Sequence, residues 1–430
     1  MMRKKPLGKT LFSVLLLSLL LLLGACSGGG GDQTEGTTDN DGGEATEQSG
    51  GTIEVSVESG YVDYLNEIIP KFEEETGIKV EVTERGMFET LEALPLDGPA
   101  GLAPDVTIAP YDRIANLGQQ GHLAEVTLVD DGRYDTSYVQ QVTYDGKIYG
   151  APMVIEALVL YYNKDLLAEA PATFKDLEEL AKDERFTFEG EAGKNTAFLA
   201  KWLDFYHAYG LLAGYGGYVF GDNGTNPDDI GLNTPEAIEA IEYASFWYQN
   251  IWPQGMLDAS SASNFKDEMF TTGKAAAVIE GPWAVANYID AGVNYGVATI
   301  PTLPNGEPYK PFAGGKGWVI STYTENLEGA QKFLDFVTNE ENQMLLYEMR
   351  REIPANKLAQ GQIEEGTDEL AIAVINQYTS SVPMPNIPQM AEVWEPGKNM
   401  FFEAATGDKT AEQAANDAVE TIKLNIEQKY

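Results

Sequence analysis

The stretch TIEVSVESGYVDYLNEIIPKFEEETGIKVEV, Thr52–Val82, decides the fold class. Ile53, Val55 and Val57 alternate with polar residues, the period of a half-buried strand. Glu58-Ser59-Gly60 follows as a short turn. Leu65, Ile68, Ile69 and Phe72 then recur at helical spacing over Tyr61–Thr76, and Gly77 stands where the helix should stop. Ile78–Val82 returns to a strand. Strand, helix and strand in this order open a doubly wound α/β sheet.

Upstream the chain changes character. Arg3, Lys4, Lys5 and Lys9 form a basic cluster ahead of Leu11–Leu23, an apolar run of about 13 residues, too short for a bilayer core that needs roughly 20. The run closes on Leu23-Gly24-Ala25-Cys26, which resembles the lipobox of bacterial lipoproteins. That resemblance implies a signal peptide over residues 1–26 and a lipid on Cys26, the first residue of the mature chain. Cys26 is the single cysteine of the sequence, so no internal disulfide can form. Residues 27–51 carry no apolar side chain except Ala45 and can bury nothing, which makes them a disordered tether. A Gly-rich coil of about 25 residues spans ~28 Å, enough to hold a domain clear of a lipid surface.

Downstream, Asp105–Ala109 reads as a third strand, followed by Asp112-Arg113 and a short helix to Gly121. Gly146–Pro152 is a turn into an extended segment, and Ala157–Tyr162 is another strand. Thr173 with Asp176 forms a variant capping box, and Thr234-Pro235 starts a helix with Pro at its first position. Further helices are expected over Glu328–Val337, Glu340–Met349 and Ala411–Ile426, the last capped by Thr410 with Gln413. SNFKDEMFTTGKAAAVIEGPW, Ser263–Trp283, reads as a short amphipathic helix ended by Gly273, then a buried strand over Ala275–Ile279. The strand stops at Gly281-Pro282 and presents Trp283. A Trp there is either a cap on the core or a platform at the rim, where open α/β sheets hold ligands. The roughly 380 residues beyond the tether exceed one ordinary core, so two lobes are expected.

Composition removes several classes of function. A formal charge of −39 argues against nucleic acid or an anionic lipid surface as partner, since both need a basic footprint. It fits a solvated acidic surface suited to saline or alkaline surroundings, with a cationic ligand as the alternative. Two histidines and one cysteine leave no zinc cluster and no Cys nucleophile, and no metal or other cofactor is expected. No Gly-x-Ser-x-Gly elbow, P-loop or dinucleotide fingerprint is present. Paired carboxylates stay open, because glycoside cleavage needs only two of the 67 acidic residues.

Carbohydrate binding needs other parts. Pyranose faces are apolar and stack on aromatic rings, while vicinal hydroxyls suit the two oxygens of a carboxylate or the fork of an Arg. Candidates stand at element ends: Asp112-Arg113, Glu156, Trp283, and Trp394 in a Pro-rich loop. Asp112 can equally be a helix N-cap, and Trp394 can be packing. Glu156 lies among Met153, Val154, Ile155 and Leu158, where a charge must be paired or face a cleft.

With these residues in view the chain resembles the extracellular solute-binding proteins of ABC importers, and within them the maltose/maltodextrin-binding branch. The resemblance rests on KFEEETGIKVEV (Lys71–Val82), YDRIANLGQQGHLAEV (Tyr111–Val126), YDGKIYGAPMVIEALVLYYNKDLL (Tyr144–Leu167), VNYGVATIPTLPNGEPYKPFAGG (Val293–Gly315) and MPNIPQM (Met384–Met390). It implies a two-lobed α/β fold, the type II periplasmic-binding-protein fold, with the ligand cleft between lobes joined by hinge strands. One lobe would comprise residues 51–154 and 318–363, the other 155–317 and 364–430. It also implies ligand contacts at Glu58, Ser59, Asp112, Arg113, Glu156, Asp204, Tyr206, Trp283, Trp394, Glu395 and Lys398, with no catalytic residue.

The sequence departs from that pattern in places. Glu58-Ser59-Gly60 replaces a frequent Asp-Lys, Asp204 stands where the family has Glu, and Ala109 replaces a Trp. Glu395 and Lys398 replace Tyr and Arg. With two aromatics gone, Trp283 and Trp394 are left to supply most of the stacking. The resemblance implies a monomer anchored by lipid on the extracellular face of the cytoplasmic membrane of a Gram-positive-type bacterium. It would capture maltodextrin or a related oligosaccharide and pass it to a permease. The alternatives are a binder of another oligosaccharide or a small cation, and a glycoside hydrolase using Glu156 and Asp204.

Overall fold

A computed structural model describes residues 50–364 and 368–430. The leader, Cys26 and nearly all of the tether lie outside the described residues. β1 (Thr52–Val57) and β2 (Lys79–Glu84) flank the helix Ser59–Thr76, and β3 (Val106–Pro110) follows the helix Met87–Asp97. A small hairpin, β4 (Thr143–Tyr144) and β5 (Lys147–Ile148), precedes β6 (Ala151–Glu156) and β7 (Val159–Asn163). Then come β8 (Phe198–Leu199), β9 (Asn226–Ile230), β10 (Ala277–Glu280), β11 (Tyr295–Ala298) and β12 (Phe312–Ile320). The short β13 (Ile353–Pro354) and β14 (Val382–Pro383) complete the strands.

Two main sheets result. The first runs β13-β6-β12-β3-β1-β2, with β14 beside β12; the second runs β11-β7-β10-β8. β1 is parallel to β2 and β3, so Val55 stands opposite both Val82 and Val106. β12 is antiparallel to β3 and β6. Only Ala157 and Leu158 separate β6 from β7, so the chain passes from the first sheet to the second in two residues. The β6–β12 pairing breaks register between Lys316 and Gly317. The extra residue is Met153 of β6, so the bulge bends β6 opposite Lys316 and Gly317.

Each sheet has its own core. Against the first pack Phe72 and Phe333, edge to face at 5.3 Å, with Trp318 6.0 Å from Phe333. Against the second lies an aromatic cluster of Phe174, Phe198, Trp202, Trp247 and Trp252, all fully buried. The Trp252 indole donates to the Phe198 carbonyl at 2.6 Å, satisfying a polar handle inside that core.

Local readings of the sequence hold where the signal is chemical. The Thr173–Asp176 and Thr410–Gln413 capping boxes both form. Pro235 is at the start of the helix Pro235–Phe246, and Gly77 and Gly273 take φ of 71° and 70°. The turn at Gly146 is a hairpin turn through Asp145 and Gly146, both at positive φ, the backbone that suits the right-handed twist of two paired strands.

Boundaries move by a few residues elsewhere. Glu58 is the N-cap of a helix that already begins at Ser59, because its carbonyl accepts the Tyr61 N–H at 2.9 Å. The expected strand Ala157–Tyr162 is shifted, since Ala157-Leu158 makes the crossing instead. Asp112 is no N-cap: Pro110 takes that place and Asp112 lies in the first turn of the helix Tyr111–Gln119. Trp394 is not in a loop but begins the helix Trp394–Thr406, despite the Pro two residues on, because Pro is tolerated in a first turn.

Candidate functional site

The ends of β1, β3, β6, β8 and β10 and the Gly315–Lys316 stretch of β12 converge on one cavity of about 540 Å³. In α/β folds that is where ligands bind, because strands end there and helices begin. From the first sheet come Glu58, Met87, Phe88, Pro110, Asp112 and Arg113; Glu156, Gly315 and Lys316 line its floor; Asp204, Tyr206, Trp283, Met384 and Trp394 close the other wall.

Asp112 and Arg113 open their helix, and an acidic side chain in a first turn faces the positive end of the helix dipole. Arg113 Nε is 3.4 Å from Asp112 Oδ2, and the guanidinium lies over the exposed Phe88 ring at 5.9 Å. Burial raises the Asp112 carboxyl above the usual range, with Arg113 opposing it. The Trp394 indole N–H stands near that carboxylate and favours its charged form without completing a well-shaped hydrogen bond.

On the floor, Glu156 Oε1 is 2.7 Å from Lys316 Nζ, and Glu352 Oε2 is 3.0 Å from the same ammonium. Tyr61 donates to Glu352 Oε2 at 2.8 Å. Burial works against the Lys316 charge, yet Glu156 and Glu352 outweigh it and hold the ammonium well above the usual lysine range. Burial also pushes the Glu156 carboxyl up, against the pull of Lys316.

On the far wall, Asp204 caps the helix Phe205–Tyr215 by accepting the Tyr206 N–H at 3.0 Å, and Lys201 Nζ reaches its other oxygen at 3.0 Å. Burial would raise this carboxyl, but His207 and Lys201 overcome it and hold it well below the usual range. The Tyr206 hydroxyl is buried with no protein partner, the state of a group that waits for a ligand or water. Trp283 sits just past β10, half-buried, 6.1 Å from the Tyr206 ring. A Cβ on Gly281 would fall 2.2 Å from the Trp283 ring, so only glycine lets the indole fold back over the strand end. Trp394 is held edge-on by Phe205 and Phe312 at 6.1 and 6.0 Å.

Eight of the eleven residues expected to meet a ligand therefore line this cavity: Glu58, Asp112, Arg113, Glu156, Asp204, Tyr206, Trp283 and Trp394. Glu395 and Lys398 do not; they line a neighbouring cavity of about 430 Å³ that shares Asp204 and Trp394, and they pair with each other at 3.1 Å. Ser59 is exposed at the helix start and lines neither cavity.

Sequence reasoning missed Met87, Phe88, Pro110, Gly315, Lys316 and Met384. Met384 opens the quoted MPNIPQM and Gly315 closes VNYGVATIPTLPNGEPYKPFAGG, so both stood inside recognised segments. Phe88 had no signal of its own. It adds a third aromatic face, so stacking does not fall to Trp283 and Trp394 alone. Ala109 is fully buried in β3 and offers no surface at all. Among the described residues no cluster of His, Cys, Asp and Glu could hold a metal, and no helix is long and apolar enough to cross a membrane.

Aromatic rings and carboxylates gathered in a cavity between two α/β lobes, joined by adjacent crossing strands, define a two-lobed binding protein of the periplasmic type. The chain belongs to the bacterial extracellular solute-binding protein family, whose model matches residues 67–371. It is 56% identical to the maltodextrin-binding protein MdxE of Bacillus subtilis over 88% of this chain and 91% of that protein. It is 51% identical to a maltooligosaccharide ABC transporter solute-binding lipoprotein of Streptococcus pneumoniae, over 88% of this chain and 89% of that one. Its fold matches the crystal structure of MalX from Streptococcus pneumoniae in complex with maltopentaose. The TM-score there is 0.85, at 51% identity, covering 87% of this chain and 100% of that one. Both relatives are named as binding proteins, and this chain, a member of the same solute-binding family, is not an enzyme.

Proposed function

We propose that the chain is the capture component of an ABC importer, taking maltodextrin-type α-glucan oligosaccharides and handing them to a membrane permease. The observation that carries this reading is the cavity itself. Phe88, Trp283 and Trp394 offer apolar faces, while Asp112, Arg113, Glu156 and Asp204 offer charged partners for hydroxyls between them. Asp112 and Glu156, both with buried side chains, reject a ligand without matching hydroxyls, because their charges would be left poorly paired.

The lobes of this reading are residues 51–154 with 318–363, and 155–317 with 364–430. Capture proceeds by hinge closure, a motion known for periplasmic binding proteins in general. Sugar favours the closed state only through contacts made to both lobes at once. Glu58, Asp112 and Arg113 act from one side, Glu156 from beside the crossing strands, and Asp204, Tyr206, Trp283 and Trp394 from the other. Glu395 and Lys398 act on a longer chain that passes Trp394 into the neighbouring cavity, and Ser59 contacts sugar only on closure. Lipid on Cys26 and the tether of residues 27–51 keep the monomer at the extracellular face of a Gram-positive-type membrane.

Calorimetry of the protein with maltotriose and maltotetraose tests the reading. Saturable binding is expected; no binding to any α-1,4-glucan overturns the ligand class. A thermal-shift screen over β-glucan, galacto- and xylo-oligosaccharides and polyamines then identifies the class that does bind, since a native-state ligand raises the melting temperature.

A further inference from the structure

Behind the Asp204–Trp283 wall lie three buried charged or titratable groups outside the ligand contacts, His207, Glu280 and Lys266. His207, one of two histidines in the chain, is 7% exposed. Its Nε2 is 3.1 Å from Glu280 Oε1, and its Nδ1 is 3.7 Å from Asp204 Oδ1. Glu280 Oε2 is 2.8 Å from the ammonium of Lys266, which is fully buried and lies 2.5 Å from Asp267. Charge thus alternates through the wall: Asp204, His207, Glu280, Lys266, Asp267.

A neutral imidazole donates from one nitrogen only, whereas an imidazolium donates from both. Nε2 is within hydrogen-bond reach of Glu280, whereas Nδ1 meets Asp204 at ion-pair distance without a hydrogen bond, so only the charged ring attracts both carboxylates. His207 is in the first turn of its helix, the wrong end of the dipole for a cation, so the two carboxylates must hold the proton there. Burial lowers the affinity of the ring for its proton, but Glu280 and Asp204 outweigh it and push the pKa up to about 9.

Both partners of the ring connect to the cavity wall, Asp204 as a lining residue and Glu280 from behind it. Asp204 lines it directly. Glu280 Oε1 also accepts the Gly281 N–H at 2.9 Å, which pins the turn that leads into Trp283. The His207 and Trp283 rings meet edge to face at 6.4 Å. We propose that His207 is a positioning residue of the sugar site: as an imidazolium clamped between Asp204 and Glu280, it holds the Asp204 carboxylate at the wall and fixes the turn that presents Trp283, so that sugar affinity depends on its proton. The proposal rests on the reading of this cavity as an oligosaccharide site.

The charged and titratable groups facing the ring are Asp204 at the helix start and Glu280 at the end of β10. Lys201 stands behind Asp204, and Lys266 and Asp267, from the helix Ala262–Thr271, stand behind Glu280. Tyr206 lies beside it, and the Tyr309 hydroxyl donates to the His207 carbonyl.

The test follows the histidine ring signals of the full chain by NMR from about pH 6 to about pH 10, with and without saturating maltotriose, His122→Asn assigning the second signal. Linkage is reciprocal, so a sugar that prefers the charged ring raises its titration midpoint, and affinity falls about tenfold for each pH unit of that rise. Expected are a His207 midpoint well above that of a free histidine, a further rise with maltotriose, and a matching calorimetric loss of affinity toward about pH 10. A folded His207→Gln protein is expected to bind several-fold more weakly near neutral pH and to lose the alkaline step. A midpoint that maltotriose leaves unmoved, with affinity constant through the titration, overturns the proposal and leaves the sugar reading standing. Absence of maltotriose binding by the unaltered protein at about pH 7 overturns that reading and the proposal with it.

Discussion

The ammonium of Lys316 lies 2.7 Å from the carboxylate of Glu156, and this pair forms the floor of the cavity where β6 and β12 run side by side. Lys316 also reaches Glu352, only 1% exposed, so one cation serves two carboxylates beneath the site. Removing one member of a buried ionic group strands the others and costs about 3–5 kcal/mol. Lys316→Met is therefore expected to lower stability in urea by that order. Adding Glu156→Gln should recover part of the loss, because one stranded charge is then gone. A single substitution that leaves the unfolding midpoint unchanged would show that solvent reaches the floor and carries the charges instead.

Trp283 and Phe88 stand at opposite walls, and each offers an aromatic face to the cavity. Truncating such a platform is expected to weaken maltotriose binding by ~1–3 kcal/mol, the size of a lost base–aromatic stack. Phe88 is 50% exposed, so Phe88→Ala should weaken binding while leaving the melting temperature nearly unchanged. Calorimetry and thermal melts of Trp283→Ala and Phe88→Ala separate the two effects. Full affinity in both proteins would remove stacking from the mechanism.

Acid should remove binding before it removes the fold. Burial raises the Asp112 and Glu156 carboxyls, so these two take up protons first and cease to accept from sugar hydroxyls. Burial raises Asp204, Glu280 and Glu352 too, but His207, Lys266, Lys316 and their neighbours outweigh it and depress all three. A depressed carboxyl contributes stability that is present above its unfolded value and is lost only as the pH falls through the lower folded one. Maltotriose affinity is thus expected to drop through the acid side of neutrality while the melting temperature holds. Coincident loss of binding and fold would contradict this order.

Gly315 crosses the floor with no room beside it: a Cβ there would lie 2.3 Å from the Val154 carbonyl oxygen and 2.4 Å from the Tyr111 ring. Overpacking of this kind costs about 1–3 kcal/mol. Gly315→Ala is expected to destabilise by that order and to weaken binding, since Tyr111 begins the helix that carries Asp112 and Arg113. Gly361→Ala, in the helix Lys357–Glu364 where a Cβ meets nothing within 4 Å, serves as the control: it should leave binding unchanged and raise stability by up to about 1 kcal/mol, as alanine suits a helix better than glycine.

Most of the fold was legible because its signals are local. The alternation of Ile53, Val55 and Val57 and the stripe Leu65, Ile68, Ile69, Phe72 reflect which faces must leave water. Capping at Thr173 and Thr410 reflects backbone N–H groups that a nearby side chain can satisfy. Strand ends near the crossing were misjudged, since Ala157-Leu158 is as apolar as the strands around it and only pairing partners mark where a ladder stops. Trp394 was set in a loop for a similar reason: Pro396 reads as a breaker until its place in a first turn is known.

The site divides along the same line. By itself the sequence, through segments similar to known binders, determined eight of the fourteen residues that line the cavity: Glu58, Asp112, Arg113, Glu156, Asp204, Tyr206, Trp283 and Trp394. Only the tertiary structure decided that Lys316 stands between Glu156 and Glu352, that Phe88 turns its ring to the cavity, and that Glu395 and Lys398 face a separate one. It also decided that His207 lies between two carboxylates 3 and 73 positions away in the chain. Charge pairing and ring exposure depend on distances across the fold, between residues whose separation along the chain carries no trace of them. Helix and strand periods depend on neighbours a few residues apart, and those a sequence does display.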